Sequence, residues 1–166
     1  DGKAAFTVYG SPNLRRWDSG SFTGPCRGLM ELNASTLIGI FGNEVASFDT
    51  GGIPTTIGAI VGSARLHMAR NRNANVQIAM ITESKQVFVL QSGAITQVTD
   101  ADLPAPSSVG YLSGFGLYGI EDGRIFATAL EDFTSIAAGA FGDSKADDSN
   151  LVKVFADSNY LYGFNK

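Results

Sequence analysis

The sequence predicts an all-β fold: β-propeller-like repeats of antiparallel strands with a period of about 40 residues, forming an incomplete propeller. Three observations predict it. Short runs rich in Val, Ile, Phe, Tyr and Thr alternate with two- to four-residue turn signals, the punctuation of an all-β chain. Four hairpins share one pattern, a small residue between apolar neighbours, in Leu37-Ile38-Gly39-Ile40, Gln77-Ile78-Ala79-Met80, Leu117-Tyr118-Gly119-Ile120 and Leu161-Tyr162-Gly163-Phe164. The small residues Gly39, Ala79, Gly119 and Gly163 stand at intervals of 40, 40 and 44 residues, and three to four strands per interval is the period of a propeller blade.

The elements follow in order. Segment 4–9 is a first apolar strand, and segment 29–32 enters the first recognisable repeat. Asn33-Ala34-Ser35 fits a glycosylation triplet but reads as the polar turn leading into 36–41. Gly42-Asn43 then turns the chain into 44–49, with glycine at the first central position of a tight hairpin. The second repeat has strands at 65–68, 76–82, 86–91 and 94–98, the last two joined by Ser92-Gly93. The third has 109–112, 115–120 and 124–129, joined by Ser113-Gly114 and by Asp122-Gly123, which suits a mirror-image type I turn. Segment 135–140 reads as one helical turn, and the polar insertion 144–150 lengthens the approach to the last pair, 151–156 and 160–164. That pair has no return strand, so it predicts an open edge to be covered by further residues or another chain. A small residue in each second strand suits crowding between the second strands of neighbouring blades; a bulge is the alternative reading.

With 166 residues, 44% hydrophobic and 17% charged, the chain has enough apolar surface to build a core. Residues 1–166 read as one propeller-like region of three to four blades, a fragment of a longer protein. Twelve Lys and Arg against sixteen Asp and Glu give a net charge of −4. The cations are scattered, whereas a sequence-independent grip on DNA phosphates needs a concentrated basic face, so no strong direct nucleic-acid binding is expected. The nearest approach to a patch is Arg65, Arg70 and Arg72 among Asn71, Asn73 and Asn75, read as a solvated loop. No apolar run approaches the ~18 residues of a membrane span, so no membrane partner is expected.

Candidate chemistry is sparse. A single cysteine, Cys26, excludes an intrachain disulfide and a cysteine metal centre, and reads as a small buried apolar residue. The only histidine, His67, alternates with Leu66 and Met68 in a strand and reads as structural. Asp143, Asp147 and Asp148 cluster, but the glycine and closing glutamate of a twelve-residue calcium loop are missing, so they read as a solvated loop. Trp17 reads as a core anchor. The segment Leu130-Glu131-Asp132-Phe133-Thr134-Ser135-Ile136 is faintly similar to the Asp-box turn of sialidase-like propellers but lacks its Gly and Trp. No catalytic, cofactor-binding or metal residue is assigned, and no cofactor is expected.

Several collinear stretches together resemble the packaged-DNA stabilisation family of short-tailed phages, the tail accessory or connector proteins. They are Val8-Tyr9-Gly10-Ser11-Pro12-Asn13-Leu14, Gly24-Pro25-Cys26-Arg27-Gly28-Leu29, Phe41-Gly42-Asn43, Ser63-Ala64-Arg65, Ile95-Thr96-Gln97-Val98-Thr99-Asp100, Gly110-Tyr111-Leu112, and the run from Arg124-Ile125-Phe126 to Leu161-Tyr162-Gly163-Phe164. The chain departs from its relatives at Ile136 and Tyr160, where they tend to carry Trp. The resemblance implies a non-enzymatic virion protein, from a phage or a prophage, assembled in the bacterial host cytoplasm. It implies a ring-forming homo-oligomer below the portal, contacting other tail or portal-adaptor proteins and helping to retain packaged DNA. The acidic composition refines this to mechanical closure. Two other functions share the architecture: a carbohydrate-binding or sialidase-like propeller, and a propeller scaffold for protein partners.

Overall fold

In the computed structural model, which describes residues 22–143, 150–157 and 160–165, three four-stranded antiparallel sheets are followed by a two-stranded hairpin. Blade 1 comprises β1 (Cys26–Asn33), β2 (Thr36–Phe41), β3 (Glu44–Phe48) and β4 (Pro54–Ala59); blade 2 comprises β5 (His67–Arg70), β6 (Gln77–Ile81), β7 (Val87–Gln91) and β8 (Ala94–Val98). Blade 3 comprises β9 (Ser108–Leu112), β10 (Phe115–Gly119), β11 (Arg124–Leu130) and β12 (Asp132–Asp143), and the fourth sheet β13 (Leu151–Asp157) and β14 (Tyr160–Asn165). Within each sheet every strand pairs with its neighbour in sequence. The first strands β1, β5, β9 and β13 contact one another in succession, which makes them the inner edge of a propeller-like array.

The core lies between blades rather than within one sheet. Strand β6 is buried at all five positions, which explains why Ile78-Ala79-Met80-Ile81 reads as a continuous apolar run instead of an alternating one. Ile78 and Met80 pack with Ile38, Ile40 and Val45 of blade 1, whereas Ala79 and Ile81 pack with Val109, Tyr118 and Phe126 of blade 3. Each large aliphatic side chain buried this way contributes about 1.5–3 kcal/mol. Blade 2 therefore depends on both neighbours for its stability.

The tight turns follow the residue chemistry. Ser92 and Gly93 have φ of 50° and 77°, and Ser113 and Gly114 have 51° and 91°, the double positive φ of a type I′ hairpin. Gly42 has φ of 53° at the first central position of its turn. Asp122-Gly123 differs from expectation. Only Gly123, at φ 98°, is left-handed, and its N–H donates to Ile120 O at 3.1 Å, so the connection is an ordinary turn closed by a glycine bulge.

Two strands are absent from the sequence reading. Strand β4 begins at Pro54 and carries Thr55 and Thr56 outward; it is an outer edge, where a proline at the first position is tolerated. Segment 135–140 is not a helical turn but part of β12. Its pairing to β11 jumps from Phe126↔Phe141 to Thr128↔Ile136, and Gly139, at φ 80°, sits in the bulge. Segment 4–9, Trp17, Asp147 and Asp148 lie outside the described residues.

Candidate functional site

Gly39, Ala79, Gly119 and Gly163 all fall on the second strand of their sheets, opposite Leu29, Ala69, Ser108 and Val154 of the first. Their surroundings differ. A Cβ on Gly39 would lie 2.7 Å from the Phe41 ring and 2.9 Å from the Phe48 ring of its own blade. On Gly119 it would lie 2.6 Å from Ser108 Oγ and 3.0 Å from Val154 Cγ1, so this glycine gives room to the next sheet. Ala79 is buried against blade 3, and Gly163 is exposed. The second strand packs on the first strand of the following sheet, β6 on β9 and β10 on β13.

Each junction between sheets holds a buried polar clasp. At the first, Arg27 of β1 is 1% exposed; its Nε donates to Ala64 O at 2.8 Å and its Nη1 to Gly42 O at 2.9 Å and Ile60 O at 2.7 Å. Glu83 holds the same crossover by accepting from the Ala64 and Ser63 N–H groups. Those bonds keep its carboxyl below the usual range, with the Arg27 charge adding to the effect. Arg70 adds bonds to Leu32 O at 3.1 Å and Glu31 O at 3.3 Å.

At the second junction, Gln77 reaches from β6 to the β11–β12 turn. Its Oε1 accepts from Phe133 N–H at 2.6 Å, and its Nε2 donates to Asp132 Oδ1 at 3.0 Å. Asn71 completes the clasp, accepting from Gln77 N–H at 2.8 Å and donating to Glu131 O at 2.9 Å. Burial works against ionisation of Asp132, but hydrogen bonds from the Thr134 hydroxyl and N–H and from Gln77 outweigh it and hold the carboxyl below its ordinary value. The segment with a faint Asp-box likeness is thus a hairpin gripped by the preceding blade. At the third junction, Val154 N–H donates to Ser108 Oγ at 3.0 Å, and Ser108 is fully buried.

Two surfaces remain open. Phe155, Tyr160, Tyr162 and Phe164 of the last hairpin are exposed, with Phe155 opposite Tyr162 and ring centroids 6.5 Å apart. The inner-strand surface carries Arg65, His67, Arg70, Arg72 and Lys153 along the clefts between β1, β5, β9 and β13. Arg65, Arg70 and Arg72, read as a solvated loop, thus meet Lys153 of β13, 81 or more residues distant in sequence. Tyr111 donates to the Glu131 carboxylate at one end of this surface, and burial followed by that bond pushes its phenol up.

Cys26 is exposed, not buried, with Sγ 3.6 Å from Gly28 O. Apolar packing is therefore not its role. His67 is partly buried on the inner surface. Among the described residues no three His, Cys, Asp or Glu side chains group as a metal site. Sequence reasoning missed Arg27, Asn71, Gln77 and Ser108. The available signal was a polar residue at or beside an apolar run, above all Gln77 opening a strand buried on both faces.

Comparison with solved structures supports the architecture. The designed protein Ika4 superposes with a TM-score of 0.62 at 11% identity, covering 92% of this chain and 93% of that one. BamB from Moraxella catarrhalis gives 0.57 at 13% identity over 87% of this chain and 41% of that one. The Pan2 WD40 domain of Neurospora crassa gives 0.51 at 12% identity over 84% and 41%. The chain thus spans less than half of these two natural proteins, and at such identities the likeness is one of fold alone. No curated protein matches in sequence. The family model described as bacteriophage P22 Gp10, beta-propeller, matches residues 5–166, nearly the whole chain and all three clasped junctions, so the chain belongs to the phage DNA-stabilisation family of β-propeller proteins.

Proposed function

We propose that this chain is a propeller segment of a phage tail protein that assembles below the portal and keeps packaged DNA in the head by mechanical closure. Family membership carries the coarser part, a phage stabilisation protein of the virion that meets other virion proteins. The finer part rests on the exposed aromatic face of β13–β14. Aromatic side chains supply contact area at little entropic cost and concentrate in protein interfaces. A net charge of −4 argues against retention through phosphate contacts, each of which needs a Lys or Arg.

In this reading β14 receives further strands of a longer blade array, residues 1–166 being one part of it, and copies of the protein form a ring against tail or portal-adaptor proteins. The protein is non-enzymatic, assembled in the cytoplasm of a phage- or prophage-bearing host and located in the virion tail. The test uses DNA-filled heads produced without the protein. Adding the full-length protein should protect their DNA from nuclease, whereas the same protein unfolded by heat should not. Heads that hold their DNA equally well without the protein would refute the reading.

A further inference from the structure

We infer that the cleft between the inner strands β1, β5 and β13 is a binding site for a phosphate group, held by Arg65, His67 and Lys153. The cleft has a volume of about 260 Å³, and these three side chains line it together with apolar neighbours such as Met68 and Val109. Among the described residues no carboxylate lines it. The nearest acid on the adjoining strand, Glu31, is engaged by Arg70 at 3.5 Å. In a chain with more acidic than basic groups, a cleft lined by two cations and the sole imidazole, with no carboxylate among its described lining residues, carries a local positive potential.

The three groups sense one another. Burial, then the charges of Lys153 and Arg65, hold the His67 imidazole below its ordinary value, so the ring stays neutral between two cations. An oxyanion entering the cleft reverses the sign of the local field. Arg65 offers a planar fork of donors matched to phosphate oxygens, Lys153 a mobile point charge, and His67 an N–H donor on a ring that protonates more readily once the anion is bound. A cleft of this size admits one phosphate group and not a duplex, so the site is distinct from a general grip on DNA. It stands independently of where the protein sits in a virion.

Because His67 is the only histidine, its ring protons give an unambiguous NMR titration. The full chain would be titrated in phosphate-free buffer and again with inorganic phosphate, ionic strength being matched with sodium chloride. Phosphate should raise the His67 pKa toward the ordinary imidazole value, and Arg65→Gln or Lys153→Gln should each weaken phosphate binding roughly tenfold. Lys85→Gln, at a surface lysine paired with Glu121, should leave it unchanged. A nucleoside monophosphate and a short single-stranded oligonucleotide identify the source: a response to the mononucleotide assigns small phosphates, and an equal response per phosphate to the oligonucleotide extends the site to a nucleic-acid backbone. Equal effects from chloride, or from acetate, would overturn the inference, the latter by reassigning the cleft to an acidic peptide. Binding that ignores Arg65→Gln and Lys153→Gln would overturn it as well.

Discussion

Replacing Gln77 with leucine severs the clasp between blades 2 and 3 while keeping an apolar side chain of similar size in the strand. The variant leaves Phe133 N–H without its acceptor at 2.6 Å and takes from Asp132 the amide donor at 3.0 Å, leaving it the Thr134 N–H and hydroxyl. Stranding a buried N–H costs about 1–3 kcal/mol, and losing a hydrogen bond to a charged group about 1.5–3 kcal/mol. Leucine recovers about 1 kcal/mol because it buries more apolar surface than the amide it replaces. The net loss is therefore about 1.5–5 kcal/mol, which at this chain length lowers Tm by roughly 3–20 °C.

Urea unfolding followed by circular dichroism measures the loss, and amide exchange at Phe133 localises it. Gln77→Glu separates the two bonds. Its carboxylate still accepts from Phe133 N–H but faces Asp132, so the variant should be weakest near neutral pH and recover in acid, where a protonated carboxyl again donates. A Gln77→Leu variant within about 0.5 kcal/mol of the parent, or unchanged exchange at Phe133, would refute the clasp.

The other predictions concern the remaining junctions and the inner cleft. Gly119→Ala drives a Cβ to within 2.6 Å of Ser108 Oγ and 3.0 Å of Val154 and should cost about 1–3 kcal/mol by overpacking. Gly93→Ala meets nothing within 4 Å and should cost about 1–2 kcal/mol through its φ of 77° alone, a contrast that parallel urea titrations resolve. Arg27→Met strands three carbonyls and should destabilise by at least about 3 kcal/mol, with no full rescue by Arg27→Lys, because an ammonium lacks the planar fork; thermal melts of both variants test this. For His67 the lowered pKa means that the unfolded chain takes up the proton more readily. Its contribution to stability is complete above the unfolded value of 6.5 and is lost as pH falls through the folded value. In phosphate-free buffer the urea midpoint should decline with acid over this interval, and His67→Gln should flatten that decline.

The hairpins were legible because local chemistry decides them. Ser92-Gly93 and Ser113-Gly114 signal positive φ between adjacent strands, and the apolar run Ile78 to Ile81 signals a strand. Strand β4 was hidden because an outer edge needs no apolar face: Pro54, Thr55 and Thr56 read as loop. Strand β12 was hidden because Ala137, Ala138 and Ala140 carry helical propensity around a bulge at Gly139, which the ladder to β11 overrides. The clasps escaped for a different reason. A hydrogen bond from Gln77 to Phe133 spans 56 residues, and neither position alone names the other. The inner cleft is likewise a product of topology, since only the stacking of first strands brings Arg65 and Lys153 together.

The three clasps also bear on how a repetitive chain avoids docking its own parts in the wrong order. The aliphatic faces of the sheets are similar enough to accept one another promiscuously, which is the hazard of building with repeats. A guanidinium at the first junction, a pair of amides at the second and a hydroxyl at the third are not interchangeable. A sheet docked at the wrong neighbour would find its apolar face accommodated and its polar group orphaned, so the clasps act as keys that give each blade one permitted address.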